Sequence, residues 1–126
     1  MTRIITKEDH ATLAKWWQSW GWPVTPIDCL PRYGVIADNT AAGFLYNTDS
    51  KLCWIGWLVT NKSKSIPERS ESINAVLKAL EAKAKEIGKQ GIFTFTAKPS
   101  LIRRHLAHGY TLGDEGVTQL TKWMGE

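Results

Sequence analysis

The chain has 126 residues, enough for one hydrophobic core, and a single domain over residues 1–126 is expected. Its 43% apolar and 22% charged content is that of a globular protein, and its short apolar runs exclude a membrane span. A net charge of +4, spread along helix faces and loops without a basic block, gives no case for a nucleic-acid partner.

The N-terminus lacks the long apolar stretch of a secretory signal. Cys29 and Cys53 sit at apolar positions without metal-like spacing, so a reduced, cytoplasmic protein is expected. The three histidines have no acidic partners at ligand spacing, and no metal site is expected.

In chain order, Arg3-Ile4-Ile5 reads as a first strand. Thr6 with Asp9 three residues on is a capping signal for a helix from about Lys7 to Trp20, which Gly21 ends. Pro23, Pro26 and Pro31 then exclude regular helix or a central strand. Tyr33–Ala37 and Ala42–Tyr46 are strands joined at Asp38-Asn39, a pair suited to a tight hairpin turn. After the turn residues 47–50, Leu52–Thr60 completes a three-strand meander. Apolar residues at Ile73, Val76, Leu77, Leu80, Ala84 and Ile87 mark one buried helix face, with Gly88 as its stop.

Where that long helix starts has two answers. Ser65-Ile66-Pro67-Glu68 is a capping box with proline in the first turn, whereas a phosphate-holding loop over residues 69–74 requires a start near Ser70. Gly91–Thr96 follows as a strand, parallel to the one before the helix. Pro99 opens a short helix over about Ser100–Ala107, and Tyr110–Leu112 with Val117–Trp123 are expected as a final antiparallel pair, with a partly helical Val117–Trp123 as the alternative.

This order of elements resembles the GCN5-related N-acetyltransferase (GNAT) superfamily across nearly the whole chain. It implies an α/β (α+β) fold with a mixed, mostly antiparallel sheet and helices on both faces. Leu30-Pro31-x-x-Gly34, Gly43-Phe-Leu-Tyr46 and Glu68-Arg69 are further similar to compact, divergent GNAT-like proteins of bacteriophages and prophages, which would place the protein in a host cytoplasm.

The resemblance implies acetyl-CoA as cofactor. Its pantetheine would pair with backbone at Leu58, Val59 and Thr60, and its pyrophosphate would lie on Arg69, Ser70, Ser72, Ile73 and Asn74. These last residues have the spacing of an R-x-x-G-x-G loop with Ser72 and Asn74 in place of both glycines. Glycine there permits close backbone approach, and Glu71 adds a negative charge that must face solvent. The family's general-acid tyrosine falls on His105, and an imidazole can donate a proton near neutral pH.

Four of the seven tryptophans crowd into Trp16, Trp17, Trp20 and Trp22. Trp16 and Trp20 share a helix face and are expected to pack on the sheet. Trp17 and Trp22 are the candidates for binding substrate or a partner. Two functions follow. One is an acetyl-CoA-dependent N-acyltransferase in which a small-molecule or protein primary amine attacks the thioester directly. The other is a GNAT-fold module without catalysis that binds a host protein through its Trp-rich side.

Overall fold

The computed structural model describes residues 1–125, which fall into two compact units, Met1–Thr94 and the residues from Phe95 onward. The first unit contains strand β1 (Thr2–Ile4), helix α1 (His10–Ser19) and strands β2 (Tyr33–Ala37), β3 (Ala41–Tyr46) and β4 (Leu52–Thr60). Helix α2 (Ile66–Glu86) and strand β5 (Gly91–Phe93) complete it. The five strands form one sheet in chain order, antiparallel from β1 to β4 and parallel between β4 and β5. This is the mixed, mostly antiparallel α+β architecture expected from the sequence.

The two long helices cover opposite faces. Leu13, Trp16 and Trp17 of α1 pack with Ile36, Ala42, Phe44 and Val59. On the other face α2 lies so close that a Cβ at Gly43 would come within 3.1 Å of Val76 and 3.2 Å of Leu80. Because strand side chains alternate, Ala42 and Phe44 point to α1 while Gly43 between them faces α2.

Local chemistry accounts for the connections. Asp38 and Asn39 both adopt φ 51°, and the Thr40 N–H donates to the Ala37 carbonyl at 2.9 Å, which gives the expected tight hairpin turn. Ahead of α1, residues Lys7–Asp9 form a 3-10 turn that Asp9 locks in place. Its carboxylate accepts both Arg3 nitrogens, at 2.7 and 2.9 Å, and the Thr6 N–H at 2.8 Å. The bidentate pair ties β1 to the start of α1.

β5 is shorter than expected. It pairs with β4 only over Leu52↔Gly91, Cys53↔Ile92 and Trp54↔Phe93. The Thr94 hydroxyl then donates to the Ile55 carbonyl at 3.2 Å, so a side chain takes the place of the next backbone rung.

The second unit holds helix α3 (Pro99–Ala107), followed by Gly109 at φ 90°. The expected strands Tyr110–Leu112 and Val117–Trp123 do not form, and residues 110–125 carry no regular secondary structure. Leu112, Val117, Leu120 and Trp123 are all exposed, so the expected pair has no buried face to fix a register. Among the described residues no helix is long and apolar enough to cross a membrane.

Candidate functional site

β4 is the strand around which the candidate site is built. Its pairing with β3 slips between Ala42↔Val59 and Phe44↔Gly56, so that Trp57 and Leu58 stand opposite the single residue Gly43. This is a β-bulge, and Trp57 within it has φ 58°, an uncommon conformation for a bulky residue. The conformation is held from two sides. The Trp57 indole N–H donates to the Tyr46 hydroxyl at 2.7 Å, and its ring packs on Trp17 at 5.8 Å between centroids.

β5 stops at Phe93, so from Gly56 to Thr60 strand β4 has a strand partner on its β3 side alone. The expected contact residues lie in this half-paired stretch. Leu58 sends its side chain beneath Gly43 towards α2, Val59 is buried against α1, and the Thr60 carbonyl accepts the Trp20 indole N–H at 2.9 Å.

The start of α2 settles the first of the sequence alternatives. The helix begins at Ile66 with Ser65 as its cap: the Glu68 N–H donates to Ser65 Oγ and the Ser65 N–H to Glu68 Oε1, both at 3.2 Å. The expected pyrophosphate loop over residues 69–74 is therefore helix interior. The Arg69 N–H already donates to the Ser65 carbonyl, and Ser72 and Ile73 are buried under the helix. Ser70 and Asn74 sit in the same helical turns with backbone N–H groups committed to i−4 carbonyls. A glycine-type loop cannot form there, because helix geometry leaves free donors only in the first turn.

The capping box and Pro67 consume most of that first turn. Asn61 takes two more donors, the Ser63 N–H at its side chain and the Lys64 N–H at its carbonyl. Among the described residues, the backbone donors of Lys62 and Ile66 remain. Cationic side chains supply what the backbone does not. Lys62 Nζ lies 4.6 Å from the Trp20 ring centroid and the Arg69 guanidinium 5.8 Å from it. Arg69 Nε is buried without a hydrogen-bond partner. Lys64 stands near Glu68, whose carboxyl is held below its usual range chiefly by the Ser65 N–H. The Arg69 guanidinium and the Lys62 ammonium thus share the Trp20 ring, two cations of the kind that hold phosphate oxygens, and Glu71 is exposed as that requires.

The other expected residues divide. Trp17 is fully buried, so its assignment as a substrate-contacting ring is corrected: positions 13, 16, 17 and 20 lie on one helical face, and Trp17 occupies the centre of the core. Trp22 is 38% exposed and keeps a surface. With Trp16 and Trp17 turned inward, the side expected to be Trp-rich presents far less ring surface to a protein partner. Cys53 is buried, its thiol pushed up by that burial and donating to the Gly91 carbonyl at 3.6 Å, which is a packing role.

His105, in the second unit, is buried at 5% exposure and is not the surface imidazole that is the ordinary expectation for such a position. Its Nδ1 lies 2.7 Å from the Leu101 carbonyl, which fixes Nδ1–H as donor in the neutral ring and leaves the lone pair on Nε2. Nε2 is buried and without a hydrogen-bond partner, and the ring stands edge to face with Tyr110 at 5.0 Å.

Sequence reasoning missed Trp57, Tyr46 and Lys62. A glycine inside an apolar strand, Gly56, is a bulge signal that points to Trp57. The two lysines of the loop ahead of the Ser65 cap were equally visible in the sequence.

No protein-family model matches the chain, and no curated protein matches it. Solved structures do. The Mycobacterium tuberculosis protein Rv2747, determined in complex with CoA and NLQ, superposes with a TM-score of 0.73 at 15% identity, covering 94% of this chain and 76% of that one. An acetyltransferase of Trypanosoma brucei gives 0.72 at 8% identity, covering 96% and 99%. An aminoglycoside acetyltransferase from an uncultured soil metagenomic sample, in complex with trehalose, gives 0.66 at 11% identity, covering 99% and 96%. With its five-stranded mixed sheet, bulged β4 and helices on both faces, the chain has the GNAT fold of the acetyltransferases.

Proposed function

We propose that the protein is an acetyl-CoA-dependent N-acyltransferase that acts on a primary amine. The observation that carries this reading is the half-paired, bulged end of β4 running into the cations Lys62 and Arg69 beside the Trp20 ring. Acetyl-CoA would supply a thioester: the amine nitrogen bonds to the acyl carbon, the C–S bond breaks, and a proton lost from nitrogen balances the one gained by sulfur.

The chain's own residues would do the following. Backbone of Leu58, Val59 and Thr60 offers strand-type hydrogen bonds along the free edge of β4. Lys62, Lys64 and Arg69 hold phosphate charge, with the Ile66 N–H adding one donor. This replaces the glycine loop of the resemblance by side-chain charge, at the cost of geometric precision. Leu101 fixes the tautomer of His105, so Nε2 is the atom that takes up a proton and gives it away.

A second reading, a GNAT-fold module without catalysis, has one observation in its favour: the start of α2 at Ile66. Neither the Trp-rich side nor the structural neighbours support it. Calorimetric titration with acetyl-CoA separates the two. Micromolar binding that weakens about tenfold or more in Arg69→Glu is expected, from the loss and reversal of a charge on phosphate. Absence of binding at millimolar acetyl-CoA would overturn the enzyme reading. Where binding is present, His105→Phe is expected to lower turnover with little change in affinity, and equal turnover would remove His105 from the mechanism.

A further inference from the structure

Trp20 closes the C-terminal end of α1, and its side chain reaches β4, the loop after it and α2. The indole N–H donates to the carbonyl of Thr60, the last residue of β4, at 2.9 Å. Lys62 Nζ stands 4.6 Å from the ring centroid and the Arg69 guanidinium 5.8 Å from it, both within reach of the ring quadrupole. The Lys62 ammonium also donates to the Ser19 carbonyl at 3.3 Å, at the negative end of the α1 dipole. Arg69 is the fourth residue of α2. One half-buried side chain therefore joins the end of α1, the half-paired end of β4 and the first turn of α2.

The partner that holds a cation decides what else the cation can do. Among the described residues no ion pair involves Lys62 or Arg69. A carboxylate partner would cancel the charge, and an incoming phosphate would have to displace it. An aromatic ring orders a cation through its quadrupole and leaves the net charge in place. Two like charges gathered at one ring also repel each other, and an anion relieves that repulsion. Long cationic side chains lose rotamer freedom when they bind, and the ring removes part of that freedom beforehand. Such placement matters here because the Ser65 cap leaves few backbone donors at the start of α2.

Resting on the acyltransferase reading above, we infer that Trp20 is a positioning residue for the cofactor's diphosphate. Its ring holds Lys62 and Arg69 ready for the phosphates, and its indole N–H fixes the last carbonyl of β4 beside them. The strand edge and the cations are set relative to each other by this one side chain.

The test uses the full chain and two probes, acetyl-CoA by calorimetry and inorganic pyrophosphate by nuclear magnetic resonance. Trp20→Leu is expected to weaken acetyl-CoA binding about tenfold at low salt, and Trp20→Phe, which keeps a ring, by no more than about threefold. The loss in Trp20→Leu should shrink to about twofold at about 0.5 M salt, because the cations it misplaces are then screened. Unchanged affinity in Trp20→Leu, an equal loss in Trp20→Phe, or a loss indifferent to salt would overturn the inference, since a merely structural role gives no such pattern. The second arm needs neither acetyl-CoA nor a folded Leu variant. The Trp20 indole N–H resonance, assigned by its loss in Trp20→Phe, should shift as pyrophosphate is added to the unaltered protein. No shift at about 10 mM would overturn the inference even if acetyl-CoA binds. A shift without acetyl-CoA binding would uphold the ring-held cations as a diphosphate site and remove the acyltransferase reading.

Discussion

The Trp57 indole donates at 2.7 Å to the hydroxyl of Tyr46, which lies three residues along β3 from the bulge opposite Gly43. A bulky residue at φ 58° persists only where its surroundings hold it, and here a hydrogen bond and the Trp17 ring do so. Tyr46→Phe removes the acceptor and leaves the indole N–H unmatched. The expected cost is about 1–2 kcal/mol, read as a lower urea midpoint at unchanged m-value. An unchanged midpoint would show that packing alone sets the bulge.

Glu68 closes the cap of α2, yet it places a carboxylate beside the cationic cluster proposed to hold phosphate. Glutamine can make the same reciprocal bond without the charge. Glu68→Gln is therefore expected to tighten acetyl-CoA binding by about threefold at low salt, with the gain fading as ionic strength rises. Calorimetry at two salt concentrations checks this, and equal or weaker binding counts against side-chain charge as the phosphate holder.

The fork of Arg3 on Asp9 holds that carboxyl down at about 2, against 3.8 for an ordinary aspartate. A depressed folded value means that the stabilisation is complete above the unfolded value and is lost as pH falls through the folded one. The window is therefore about pH 4 down to pH 2. Arg3 is 59% exposed, so solvent screens part of the interaction and about 1 kcal/mol is expected. Asp9→Asn should flatten the acid limb of a stability–pH profile by that amount and lower stability at pH 7.

Gly43 is the point where α2 touches the sheet. A Cβ there would meet Leu58 Cδ2 at 2.7 Å as well as Val76 and Leu80, and the last two are fully buried. Gly43→Ala is expected to cost about 1–3 kcal/mol through forced repacking. A thermal melt would show it, and a neutral result would mean that Leu58 has room to turn aside.

Most of the fold was legible in the residues themselves. The hairpin at Asp38-Asn39, the span of β4 and the parallel entry of β5 all follow from local conformational preference and short-range pattern. The buried face of α2 follows from the same periodicity. Two readings failed for one shared reason. Trp17 was set apart from Trp16 and Trp20 although all three lie on one face, and the strands expected from Tyr110 onward have apolar residues that meet no packing surface. Burial is decided by what lies opposite, which a periodicity does not contain.

The candidate site was legible in part. The sequence by itself determined that the apolar strand Leu52–Thr60 leads into a Ser65 capping box, and that both loop glycines of the resembled motif are replaced. Only the tertiary structure decided that the capping box wins, because reciprocal Ser65–Glu68 bonds start α2 at Ile66 and commit residues 69–74 to helix. It also brought Trp20 from the end of α1 onto the Thr60 carbonyl, with Lys62 and Arg69 over its ring. Contacts between residues forty positions apart depend on how strand and helix pack, and packing is the property that local sequence leaves open.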